Sequence, residues 1–165
     1  MRAVRLLAIA PRPYEDELLS CWRWRVASHY SSSPRQIDNW ICGVSEVSKP
    51  HLFGHNVLTE QSATRSWALA CRLRQDDLKQ LSLQSTGRSR ASFVNDPANR
   101  GVCPTCLDED AEEGRDHYCR RFWSCVEAVV CPRHNWARNQ LRRMFPRWPV
   151  SVSVYACRAC QIILP

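Results

Sequence analysis

Cys103-Pro104-Thr105-Cys106 and Cys131-Pro132-Arg133-His134 constrain this chain more than any other stretch. Each is a tight turn presenting two soft donors, and together they offer three thiolates and one imidazole, enough to close a tetrahedral shell around a zinc ion. A shell filled this way leaves no position for a substrate, so the expected ion is structural. The competing account, two ordinary turns bent by their prolines, must explain why the same Cys-Pro opening occurs twice.

The rest of the chain has to be built around that staple. With 165 residues and 44% hydrophobic side chains, it has room for one compact domain or two small ones. A ribbon of about 60 residues buries too little apolar surface to fold on that alone, so metal binding is expected to supply much of its stability. Ten cysteines would also suit a secreted disulfide scaffold. The N-terminus, however, offers only the apolar run 6–10 behind two arginines, too short for a signal-peptide core, and a cytoplasmic chain with reduced thiols is the expectation. No window approaches the ~18 apolar residues that a membrane span requires.

The formal charge is +7, and its distribution says more than its size. From Cys131 onward there are six arginines, Arg133, Arg138, Arg142, Arg143, Arg147 and Arg158, and no acidic residue. Arginine outnumbers lysine by 21 to 2, which genome composition explains; it does not explain missing carboxylates. Arg133, Arg138, Arg142, Arg143 and Arg147 are therefore candidate contacts to a phosphate backbone.

Periodicity predicts a mainly α protein with a small β component. A helix is expected over 16–30, led by acidic Glu15, Asp16 and Glu17, with Leu18, Leu19, Trp22 and Val26 on one face. Trp24 and Arg25 fall off that face, where Trp24 either is exposed or packs on a neighbouring element. Ser33-Pro34-Arg35-Gln36 is a helix start with a capping box, and Gly43 a stop. Thr59 or Ser62 caps a third helix through Ala63, Trp67, Ala70 and Leu73, and Asp76 opens a shorter fourth with Leu78 and Leu81 inward. Two short helices about a tight turn fit a helix-turn-helix-like arrangement. The expected organisation is a helical domain over 1–85, a Ser- and Arg-rich linker over 86–100 and a zinc-ribbon domain over 101–165. Within the last, 120–130 reads as an amphipathic approach to the second knuckle, and Val150, Val152 and Val154 alternate as in a strand. The acidic patch 108–113 reads as a solvated loop.

Catalytic signatures fail one by one. A nucleotide deaminase needs an upstream His-x-Glu, but His29, His51 and His55 are followed two residues later by Ser31, Phe53 and Val57. There is no His-Glu-x-x-His, and five scattered glycines assemble no phosphate-cradling loop. The chain is not expected to be an enzyme. Cys21, Cys42 and Cys71 fall on apolar helix faces and read as buried small hydrophobes. Cys157 and Cys160 form a terminal Cys-x-x-Cys that is either half of a second zinc shell, with partners among His117, Cys119 and Cys125, or a relic.

The stretch Pro11-Arg12-Pro13-Tyr14-Glu15-Asp16-Glu17-Leu18-Leu19-Ser20 resembles the opening of the TniQ family, accessory target-selection proteins of bacterial transposons. Cys103-Pro-x-Cys106-Leu107, then Tyr118, Arg120 and Trp123, then Val130-Cys131-Pro-x-His134 are similar to that family's central zinc motif, in order. The resemblance implies a helix-turn-helix domain joined to zinc ribbons and a non-catalytic adaptor role. Its implied partners are an AAA+ ATPase assembled on DNA and, for some members, a CRISPR effector or its guide RNA. One departure matters: relatives commonly carry another Cys-Pro-x-Cys soon after the Cys-Pro-x-His, whereas 139–148 holds no cysteine. A stand-alone zinc-containing transcriptional regulator, reading DNA with the helix around 76–83, is the other function these features fit.

Overall fold

The computed structural model describes residues 4–42, 56, 61–94, 100–135, 137, 156–157 and 162–163. They contain helices α1 (Leu19–Ser28), α2 (Pro34–Cys42), α3 (Gln61–Ala70), α4 (Gln75–Leu81) and α5 (Pro104–Glu112), and strands β1 (Ala156–Cys157) and β2 (Ile162–Ile163). The fold is mainly helical with little strand. The chain divides into two compact units, Met1–Arg88 and Ser89–Pro165. Among the described residues no helix is long and apolar enough to cross a membrane.

In the first unit α1 begins later than the acidic run suggests, because Glu17 does not serve the helix dipole. Its fully buried carboxylate accepts the Tyr14 N–H at 3.1 Å and both Arg25 Nε and a terminal Arg25 nitrogen at 2.8 Å. Burial pushes the Glu17 carboxyl up, and the hydrogen bond and charge of Arg25 oppose that push. Arg25 also donates to the Arg12 carbonyl at 2.9 Å and lies 4.2 Å from the Tyr14 ring centre, so it is tied inward. Trp24 is half-buried.

The core joins Leu19, Trp22 and Val26 of α1 to Ile37 and Ile41 of α2, Trp67 of α3, and Leu78 and Leu81 of α4. Trp22 and Trp67 meet edge to face with ring centres 5.5 Å apart, an arrangement worth about 1 kcal/mol beyond its buried area. Each indole N–H has an acceptor: Trp22 donates to the Pro11 carbonyl at 2.9 Å, and Trp67 to Asp38 Oδ1 at 2.7 Å. Asp38 also pairs with Arg23, whose guanidinium lies 5.3 Å from the Trp67 ring centre. The N-terminal run closes over this core. Leu7 is buried and its N–H reaches the Ala70 carbonyl at 2.9 Å, while the Tyr30 hydroxyl bonds both backbone groups of Ile9 at 2.7 Å.

At α2 the Ser33 N–H donates to Gln36 Oε1 at 2.7 Å, and the Gln36 N–H returns to Ser33 Oγ at 3.3 Å. That is the expected capping box with proline first in the helix. Gly43 and Thr59 lie outside the described residues. A four-residue turn, 71–74, with Arg72 in the left-handed region (φ 56°), separates α3 from α4. The Asp77 carboxylate caps α4 by accepting the Arg74 N–H at 3.0 Å.

In the second unit, part of the expected linker is structured. Arg90–Ser92 form a 3-10 turn and buried Phe93 bridges Cys125. The Val94 N–H donates to the Ser124 carbonyl at 2.7 Å, and the Val126 N–H to the Ser92 carbonyl at 2.9 Å. The expected amphipathic approach over 120–130 is a 3-10 turn, Arg121–Ser124, followed by irregular backbone. β1 and β2 pair antiparallel with Ala156 opposite Ile163. The alternating valines 150, 152 and 154 lie outside the described residues.

Asp38 joins the Trp67 indole and the Arg23 guanidinium in the helical unit. Asp38→Ala leaves the Trp67 N–H and the Arg23 guanidinium without their shared acceptor, and it should cost about 3 kcal/mol in urea unfolding followed by circular dichroism. Trp67→Phe, which removes only one donor from that acceptor, should cost clearly less.

Candidate metal centre

Proline sets up the first knuckle. The residue before a proline is driven to extended backbone, and Cys103 takes φ −106°, ψ 117° as the N-cap of α5 with Pro104 in the first turn. Cys106 follows within that turn, so both sulfurs leave the same side of the helix start. The second knuckle is a reverse turn closed by the Asn135 N–H on the Cys131 carbonyl at 2.8 Å, with Asn135 in the left-handed region (φ 55°).

The four donor atoms lie within 4.8 Å of one another. His134 Nδ1 stands 3.4 Å from Cys103 Sγ, 3.3 Å from Cys106 Sγ and 3.7 Å from Cys131 Sγ, and the Cys106 and Cys131 sulfurs are 3.7 Å apart. A tetrahedral ion with metal–sulfur bonds near 2.3 Å and metal–nitrogen bonds near 2.0 Å needs donor edges of about 3.5 to 3.8 Å. Four of the six edges, at 3.3 to 3.7 Å, come within a few tenths of an ångström of those values, and all six lie within 4.8 Å. Cys103, Cys106 and Cys131 are buried and His134 is half-buried, so the four residues can hold a metal ion in a closed shell.

The electrostatics point the same way. Burial pushes the Cys103 and Cys106 thiols up; nearby Arg120 pulls Cys106 back only in part. Burial also acts on Cys131, but the backbone N–H groups of Arg133 and His134 and the His134 side chain bring it down to about 7. Cys103 and Cys106 thus resist ionising while Cys131 does not, and a divalent cation among them would favour the thiolate form of all three.

The frame around the cage joins Tyr118, Arg120 and Trp123, which the family resemblance named, to acidic residues that the sequence pattern did not single out. The patch read as a solvated loop is largely the body of α5, and its Asp110 is fully buried. Asp110 accepts two bonds from Arg120, at 2.9 and 3.0 Å, and two from Arg115, at 2.9 and 3.1 Å. Arg120 is only 4% exposed and lies 4.4 Å from the Tyr118 ring centre and 5.1 Å from that of Trp123. This clamp ties the helix of the first knuckle to the segment leading to the second. Glu109, one helical turn after Cys106, bonds His134 Nε2 at 2.9 Å and stands 2.8 Å from an Arg133 nitrogen. Its available signal was the three-residue spacing from a ligand cysteine.

The other candidates divide. Arg133 is exposed and paired with Glu109, whereas Arg138, Arg142, Arg143 and Arg147 lie outside the described residues. Cys157 is in β1, its side chain outside the description, as is all of Cys160. Cys119 is buried in the same unit. Cys21 and Cys71 are buried thiols outside any disulfide, with Cys71 pushed up to about 12 by burial.

Among curated proteins none matches this chain. The TniQ family matches over residues 8–137, most of the length, and that span takes in the four helices of the first unit, both knuckles and the Asp110 clamp. On that match the chain belongs to the TniQ family, a family of transposition-associated accessory proteins.

Proposed function

We propose that this chain is a non-catalytic target-selection adaptor of a transposon. In this reading it binds an AAA+ transposition ATPase on DNA and couples that ATPase to a targeting complex, of the CRISPR type where one is present. The observation behind the reading is the family match, which runs across both units. The metal cage supports it: four protein donors fill a tetrahedron and leave no position for chemistry. Zinc is the ion the donor set favours, since three thiolates and an imidazole suit a closed, redox-inactive tetrahedral site.

The transcriptional-regulator reading has the helix-turn-helix-like pair α3 and α4 place α4 in the major groove. The surface of α4 weakens it. Arg74 pairs with Asp77 at 2.9 Å and Lys79 with Asp76 at 2.7 Å, so two cations are matched by two anions on the element that would have to approach phosphate. An adaptor that binds DNA weakly alone and well beside its ATPase is compatible with such a face.

Pull-down with the ATPase and duplex DNA should retain the protein strongly, and the protein alone should show weak, sequence-indifferent binding. Tight, sequence-selective binding by the isolated protein would instead establish the regulator. For the proposed phosphate contacts, replacing Arg138, Arg142 and Arg143 by glutamate should weaken nucleic-acid association and flatten the log–log salt slope by up to about 3. Unchanged binding at low salt would remove this surface from the interface.

Purified protein should contain zinc at the Cys103, Cys106, Cys131 and His134 site, and chelation or Cys131→Ser should lower the melting temperature of the second unit. A loss of only about 3 kcal/mol corresponds to more than ~12 °C in a unit of this size. The pH dependence should change sign with the metal. Without metal, the Glu109 hydrogen bond raises His134 above its ordinary 6.5 and the His134 hydrogen bond lowers Glu109 below 4.5. The raised histidine stabilises fully below its unfolded value and loses that effect as pH rises through its folded one. The lowered carboxylate stabilises above its unfolded value and loses that effect as pH falls through its folded one. The metal-free unit should therefore gain from this pair between about pH 4.5 and 6.5. The loaded unit should lose metal across the same range, because protons compete for His134 and the thiolates.

A further inference from the structure

We propose that Glu109 is a positioning carboxylate for the metal centre: it accepts a hydrogen bond from the Nε2–H of His134, fixes that ring as an Nδ1 donor, and is held in turn by Arg133. The inference rests on the cage alone and stands or falls apart from the transposition reading.

Geometry assigns the two nitrogens of His134 different tasks. Nδ1 faces the three sulfurs at 3.3 to 3.7 Å, and Nε2 faces Glu109 Oε1 at 2.9 Å. A neutral imidazole has one N–H, so a ring that gives its Nδ1 lone pair to a cation must present Nε2–H, and a carboxylate acceptor there selects that tautomer. The placement also bridges the knuckles. Glu109 sits on α5, the helix that supplies Cys106, while His134 belongs to the other turn, so this bond links the two halves of the cage outside the metal shell.

Charge explains the third member. Three thiolates around a divalent ion leave one net negative charge, and a carboxylate behind the imidazole would add another. An Arg133 terminal nitrogen stands 2.8 Å from Glu109 Oε2 and balances it, an ion pair rather than an aligned hydrogen bond. Arg133 thus serves the metal centre, in contrast with its expected role on phosphate.

The test compares Glu109→Ala, Glu109→Gln and, as a control at an exposed acid on the same helix, Glu112→Ala, each in the full chain loaded with Zn²⁺. Zn²⁺ dissociation constants are measured by competition with a chromophoric chelator, and the tautomer of His134 by long-range ¹H–¹⁵N correlation. Glu109→Ala should weaken Zn²⁺ about 10- to 100-fold. Glu109→Gln, which keeps an acceptor oxygen, should recover much of that loss, and Glu112→Ala should stay within about twofold. Unaltered protein should show a metallated Nδ1 and a protonated Nε2. A metallated Nε2, or Glu109→Ala within about twofold of the unaltered protein, would overturn the assignment. If Glu109→Ala fails to fold, the tautomer and the Glu109→Gln affinity decide it.

Discussion

Convergence of three buried thiols on one imidazole is the constraint on which the second unit depends. The donors come from two turns separated by more than twenty residues, and nothing in the apolar content of that region would bring them together unaided. Among the described residues the buried ones around them are mixed: Phe93, Val102, Leu107, Tyr118 and Trp123 stand beside buried Arg100, Asp110 and Arg120. A core of that kind is too small to offset chain entropy on its own. The Asp110–Arg120–Arg115 clamp adds direction rather than much net stability, since desolvating such groups consumes most of what their attraction returns. What it does is orient α5 so that both of its sulfurs face the second knuckle.

The described core of the helical unit is held by packing and matched hydrogen bonds. Its two central tryptophans fill the volume, and each indole N–H is matched to an acceptor drawn from another part of the chain. Glu17 and Asp38 are thereby structural groups, although both sit in a polar setting that sequence reading assigns to helix ends and surfaces. Their arginine partners, Arg25 and Arg23, are removed from the population free to meet an anionic surface.

What was legible in the sequence was whatever depends on local geometry. The Ser33–Gln36 capping box, the extended residue before Pro104 and the paired knuckles all follow from spacing over three or four residues. The start of α1 was not legible, because Glu17 is claimed by Arg25 from within the next two turns and by the Tyr14 N–H, a tertiary choice that overrides its dipole preference. Asp110 was missed for a related reason: its neighbours Asp108, Glu112 and Glu113 are the surface acids that its own pattern imitates. Composition also hid the structure of 89–94, where a Ser- and Arg-rich stretch places Phe93 inward and borrows backbone partners from Ser124.

These pairings change where the charge of the chain resides. Residues 1–130 hold 17 basic and 16 acidic side chains, and the last 35 residues hold six basic and none acidic. The described part of the first group shows compensation at work, with Arg23, Arg25, Arg74, Lys79, Arg115 and Arg120 each facing a carboxylate. Of the six C-terminal arginines, Arg133 faces Glu109 beside the Cys3His cluster. In the proposed phosphate contact, long-range attraction to a polyanion would draw on the five arginines beyond the second knuckle, a stretch whose sequence holds no acidic residue.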